Sequence, residues 1–299
     1  MHVAVPSPSN LALASHCLGD ADSVICLHSS TGSQAQWRPL VQALTPHWQA
    51  LALDLYGHGR SPAWPADAPN TLDVDAAVVL QLMQGLDANP RTERRAMPPR
   101  GVHLVGHSYG AAVALRVAMR QPQRVLSLTL YEPVVFGLLP SADDADPARH
   151  EIEDIARSVA TLVKSGALED AARVFVGYWG GPNAWGRMNA AQQATVVHRI
   201  STVPRHFEAL FAAAWRPRQL ARLQMPVLLM HGSSTRTPAR RVTERLLQAL
   251  PQARGVCIDG AGHLGPITHV EPVMQAMLQH LNPAPMMPSA STLAAAMPA

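Results

Sequence analysis

The chain has 299 residues, 47% hydrophobic and 15% charged, with a formal net charge of +3. That profile excludes a disordered chain, and the length suits one large domain with an insertion, or two small domains. The positive charge is arginine, since Lys164 is the only lysine. Arg91, Arg94, Arg95 and Arg100 cluster in a proline-containing stretch without aromatic interleaving or a binding motif, so it reads as a solvated loop and not a nucleic-acid surface.

No window approaches the roughly 18 uninterrupted apolar residues of a membrane helix. The opening "MHVAVPSPSNLALASH" lacks the basic start and apolar core of a signal peptide. Cys17, Cys26 and Cys257 form an odd set without metal-ligand spacing. They are expected to be reduced thiols of a cytoplasmic protein, with Cys26 and Cys257 buried in strands. No metal or other cofactor is expected.

In chain order, "SVICLH" (23–28) and "WQALALDLYG" (48–57) read as strands, and "TLDVDAAVVLQLMQGL" (71–86) as an amphipathic helix capped by Asn70 or Thr71. A strand (101–108) runs into a helix (109–122) stopped by Pro122, and a further strand (124–133) stops at Pro133. The series closes with a strand at 226–232, a helix at 238–250, a strand at 253–260 and a helix at 271–281. Strands alternating with helices predict a mostly parallel sheet covered on both faces. The alternation breaks between about Phe136 and Pro217, where four helical patterns and almost no strand candidates occur. The expected organisation is a core of residues 1–136 and 218–281, a helical insertion at 137–217, and a disordered tail at 282–299.

At the end of the strand at 101–108 stands "GHSYG", Gly106 to Gly110, a G-x-S-x-G string where a buried strand meets a helix. That context forces a tight turn and holds Ser108 at the helix N-terminus, among outward-pointing backbone N–H groups. Together with "LHSSTGSQAQW", "DLYGHGRSP" and "DGAGHLGP", it makes the chain resemble the α/β-hydrolase superfamily from about Leu11 to Leu281. The resemblance implies an eight-stranded-type, mostly parallel sheet with a helical lid over Ser108.

It also implies a set of roles. Ser108 is the expected nucleophile, which needs an adjacent base because a serine hydroxyl is unreactive at neutral pH. Of fourteen histidines, His263 lies in the loop where the family keeps that base. His28, His58 and His107 are expected to shape loops. Many relatives carry the acid in a G-x-x-D pattern after the strand at 226–232; here that segment is "HGSSTRTP", with Thr235 in place of Asp. A subset of haloalkane dehalogenases takes the acid from the end of the preceding strand instead, which points to Glu132. Asp259 is the next candidate residue, four positions before His263, and a working Ser–His dyad without an acid is the remaining alternative. The oxyanion donors are expected to be the backbone N–H groups of Tyr109 and Ser30, although Ser29 replaces the usual Gly. Trp37 and the Asp54–Ser61 turn are expected to be structural.

Ser at the elbow argues against the dehalogenase and epoxide-hydrolase chemistries that use Asp there. The leading expectation is hydrolysis of a carboxylic ester or related acyl compound through an acyl-Ser108 intermediate. Trp179, Trp185, Phe207, Phe211 and Trp215 read mainly as lid core and together favour an apolar acyl group. Lactonase, C–C hydrolase and acyltransferase activities share the same nucleophile, and a non-catalytic ligand-binding protein is the rival from another class.

Overall fold

The computed structural model describes residues 22–45, 48–87, 101–140 and 146–281, together with a strand at 12–14. Cys17, the arginine cluster at 91–100 and the tail at 282–299 lie outside the described residues.

Among the described residues seven strands form one sheet: β1 (Ala12–Ala14), β2 (Ser23–Leu27), β3 (Gln49–Leu53), β4 (Val102–His107), β5 (Val125–Tyr131), β6 (Val227–Gly232) and β7 (Ala253–Ile258). Their order is β1-β3-β2-β4-β5-β6-β7. β1 pairs antiparallel with β3, and every other pairing is parallel. The central strands read as continuous apolar runs because both faces are covered. Along β2, Val24 and Cys26 join one core with Trp37, Leu40 and Met277. Ile25 and Leu27 face the other, with Val79, Met83 and Val113. This is the two-residue side-chain period of a strand.

Helices cover both faces: α1 (Arg38–Leu44), α2 (Leu72–Asp87) and α3 (Tyr109–Arg120) in the first half, α10 (Thr237–Ala249), α11 (Gly265–Thr268) and α12 (Val270–Leu281) in the last. Between β5 and β6 run α4 (Pro147–Lys164), α5 (Leu168–Gly180), α6 (Ala184–Arg187), α7 (Ala190–Arg199), α8 (Val203–Ala212) and α9 (Pro217–Leu220). Asp146 caps α4, its side chain accepting from the Ala148 N–H. Asn189 and Gln192 cap α7 reciprocally.

Strand register places the site. Leu27 stands opposite Gly106, His107 opposite Tyr131, and Tyr131 opposite Met230. The residues after β2, β4 and β5 therefore emerge side by side at one carboxyl edge. Cys26 is fully buried, but Cys257 is exposed. The expectation that both pack inside fails for Cys257, because β7 is the sheet edge and most of its residues are open to solvent. No helix among the described residues is long and apolar enough to cross a membrane.

Candidate active site

Ser108 sits between β4 and α3 with φ 55° and ψ −117°. A non-glycine residue holds such a conformation only where its surroundings over-determine it. A Cβ on Gly106 would lie 2.5 Å from the Ala111 Cα, and one on Gly110 2.4 Å from the Leu27 carbonyl oxygen. The turn therefore closes only with glycine on either side. The Ser108 N–H donates to the Tyr131 carbonyl at 3.0 Å, which ties the bend to β5.

His263 follows β7. Its backbone carbonyl accepts from His107 Nε2 at 2.8 Å, and the Tyr131 hydroxyl donates to the Gly262 carbonyl at 2.8 Å. These bonds fix the loop so that His263 Nε2 lies 2.8 Å from Ser108 Oγ. The other ring nitrogen, Nδ1, lies 2.7 Å from Glu132 Oε2. Nδ1–H therefore donates to the carboxylate, and Nε2 is left as acceptor for the serine hydroxyl.

Glu132 comes one residue after β5, with φ 42°. Its own N–H donates to the Met230 carbonyl at 2.8 Å, and its fully buried carboxylate takes the Gly232 N–H on Oε1 at 3.0 Å. Burial disfavours the charged form, but the His263 hydrogen bond and charge and the Gly232 N–H outweigh it. The carboxyl is held below its ordinary range. Asp259 is exposed and accepts from Ser233 Oγ at 3.2 Å. The structure thus brings Ser108, His263 and Glu132 into one chain of hydrogen bonds and leaves Asp259 bracing its own loop.

Of the expected oxyanion donors, neither the Ser30 nor the Tyr109 backbone N–H donates to a protein acceptor among the described residues. The loop carrying Ser30 is pinned by rings whose tautomers the backbone dictates. His28 Nε2 accepts from the Leu55 N–H, and its Nδ1 donates to the Ser29 carbonyl. His58 Nε2 accepts from the Thr31 N–H, and its Nδ1 donates to the Tyr56 carbonyl. Burial, the leading cause, pushes both down to about 3. Gln36 bridges Ser29 Oγ to His107 Nδ1, and burial also holds His107 well below the ordinary histidine range.

Asp54 accepts from the Gln34 and Arg60 N–H groups, and Trp37 is buried in a core cluster; both hold structure. Sequence reasoning missed Asp75, a fully buried carboxyl that accepts from the Tyr56 N–H and the Tyr109 hydroxyl and is raised to about 6 by burial. It also missed His206, whose Nδ1 lies 2.8 Å from Ser30 Oγ and whose ring stacks on Tyr109 at 3.7 Å. Nothing local in "VPRHFEAL" marks that histidine; only the fold brings it 176 residues back to Ser30.

Two spaces meet at Ser108. One, a narrow space of about 10 Å³, is lined by Val134, Phe136, Phe175, Val203, Phe207 and His206. The other, of about 180 Å³, is lined by Met188, Val196, His263, Leu264 and Ile267. Trp179 borders both and stacks on the His263 ring at 3.8 Å. Of the five aromatics singled out in the insertion, Trp179 and Phe207 face these spaces. Trp185 lies under Arg173, Phe211 under Arg149, and Trp215 is buried against Gly137. Among the described residues no three His, Cys, Asp or Glu side chains are grouped as metal ligands.

A family model of the alpha/beta hydrolase fold matches residues 22–270. A RutD protein of Stutzerimonas stutzeri (strain A1501), named as a candidate carbamate hydrolase, is 26% identical over 271 residues, covering 88% of this chain and 92% of its own. The carboxylesterase CesB (YbfK) of Bacillus subtilis matches with a TM-score of 0.68 at 21% identity, covering 92% of this chain and 88% of its own. The enol-lactonase of Burkholderia xenovorans LB400 matches with a TM-score of 0.69 at 20% identity, over 88% and 92%.

Proposed function

The chain belongs to the alpha/beta hydrolase family, and on that premise we propose that it is a serine hydrolase cleaving a carboxylic ester or related acyl compound through an acyl-Ser108 intermediate. The observation that carries this reading is the unbroken run from Ser108 Oγ through His263 to Glu132, at 2.8 and 2.7 Å. Ser108 Oγ attacks the acyl carbon while His263 Nε2 takes its proton. The Ser30 and Tyr109 N–H groups receive the oxyanion, each donor contributing roughly 2.7–4 kcal/mol to the barrier reduction. Glu132 stabilises the imidazolium and fixes its tautomer. His263 then returns the proton to the leaving oxygen, and a water repeats the sequence to release the acid and restore the serine.

The two spaces divide the work. The leaving group receives its proton from His263 and therefore occupies the space that His263 lines. The acyl part takes the side walled by Phe136, Phe175 and Phe207, whose lining suits an apolar group and whose rings must draw apart to admit more than a short one. The helices at 137–217 act as a lid that excludes water. The proteins it is similar to are named for hydrolysis of a carbamate, a carboxylic ester or an enol lactone, acyl bonds that a Ser–His–acid triad can open. The test is a fluorophosphonate probe, read by intact mass and peptide mapping. One adduct on Ser108 in folded protein and none in Ser108→Ala is expected. A folded wild-type protein that takes no label refutes the reading.

A further inference from the structure

The turn after β2 holds a connected path of peptide groups. Arg199, at the last position of α7, reaches back 168 residues and donates Nη1–H to the Thr31 carbonyl at 3.0 Å and to the Gly32 carbonyl at 2.7 Å. The Thr31 carbonyl shares its peptide unit with the Gly32 N–H, which donates to the Ser29 carbonyl at 2.9 Å. The Ser29 carbonyl shares its unit with the Ser30 N–H. A peptide unit is planar and trans, so fixing its carbonyl fixes the opposite direction of its N–H. The Ser29 carbonyl also accepts from His28 Nδ1–H at 2.8 Å, so the direction of the Ser30 N–H is set jointly by the core and, two units away, by a side chain of the helical insertion.

The turn needs such a hold. Thr31 has φ 62°, a left-handed conformation costly for a β-branched residue. The core restrains Ser29 through His28 and Gln36, and the Thr31 N–H through His58. The Thr31 and Gly32 carbonyls go to Arg199, and the Ser30 hydroxyl to His206 on α8. The guanidinium is half-buried, so its charge acts through little intervening water. A cation at the head of a hydrogen-bonded chain polarises each successive donor.

We propose that Arg199 is a positioning residue that orients and strengthens the Ser30 N–H as oxyanion donor through the Thr31–Gly32 and Ser29–Ser30 peptide units. This rests on the serine-hydrolase reading of the site. It makes the insertion part of the catalytic apparatus: displacing α7 from the turn dismantles the oxyanion site while leaving Ser108, His263 and Glu132 in contact.

The experiment compares wild type, Arg199→Met and Arg199→Lys on a p-nitrophenyl ester and on a trifluoromethyl ketone inhibitor, with urea unfolding and amide exchange of the 29–32 segment alongside. Arg199→Met is expected to lower kcat about 100-fold with KM within about threefold, matching the loss of one oxyanion donor. Affinity for the ketone should fall with kcat, and exchange at 29–32 should quicken. Arg199→Lys, which keeps the charge but not the fork, is expected to recover part of the loss. A folded Arg199→Met protein with wild-type kcat, ketone affinity and exchange at 29–32 overturns the proposal, as does a loss confined to KM. Wild-type protein that hydrolyses no ester and takes no fluorophosphonate refutes the reading beneath it instead, and the exchange data still decide whether Arg199 holds the turn.

Discussion

His58 offers a direct reading of how the loop around Ser30 is held. Its Nε2 accepts the Thr31 N–H at 3.0 Å and its Nδ1 donates to the Tyr56 carbonyl at 2.8 Å. The folded state therefore accommodates only the neutral ring; a second proton would set N–H against N–H. Burial, with help from the neighbouring His28, lowers it from the ordinary 6.5 to about 3. The sign follows: between these values the unfolded chain binds the proton and the folded chain does not. The ring's contribution is complete above the unfolded value and is lost as pH falls from there toward about 3. Lowering the pH from about 7 to about 5 should remove about 2 kcal/mol for this ring, with a similar amount for His28. Asp75, raised to about 6, works in the opposite sense and returns about 1 kcal/mol over the same interval. The assay is urea unfolding followed by tryptophan fluorescence at both pH values in wild type and His58→Gln, whose amide oxygen can still accept from Thr31. The stability lost on acidification should shrink by about 2 kcal/mol in the variant. Identical losses in the two proteins would refute the reasoning.

Three further outcomes follow from particular contacts. Gly110→Ala places a methyl 2.4 Å from the Leu27 carbonyl oxygen and 2.5 Å from that of His28; it should cost about 1–3 kcal/mol or more, read as a lower unfolding midpoint together with slower labelling of Ser108. In a Cys17→Ser background, a thiol reagent should modify Cys257 at once and Cys26 only after unfolding, because Cys26 is fully buried and its thiol is held far above the ordinary range by burial. Asp259→Asn should leave kcat within about threefold of wild type, since its contact is with Ser233 and not with His263.

Much of this was legible in the sequence for identifiable reasons. The buried parallel strands announce themselves as apolar runs bounded by Gly and Pro, and the observed bounds fall within a few residues of the expected ones. The place of Glu132 beside His263 was legible through an absence: Thr235 stands at the usual acid position, and strand order puts a residue ending β5 beside one ending β4. The short strand β1 and the helix α1, by contrast, carry no period strong enough to be seen in three and seven residues. Cys257 misled because an apolar run does not say whether its strand is central or at an edge. Arg199, His206 and Gln36 were invisible, because each acts on a partner whose proximity the folded chain alone creates.

The relay itself is tested most directly by Glu132→Gln. The glutamine amide can donate to His263 Nδ1, which forces the ring into the tautomer with Nε2–H and leaves no acceptor for the Ser108 hydroxyl. With an unfolding midpoint close to wild type, kcat on a p-nitrophenyl ester should fall by about 10³–10⁴. A folded Glu132→Gln protein that turns over within about tenfold of wild type would show that the carboxylate on His263 is not the working acid.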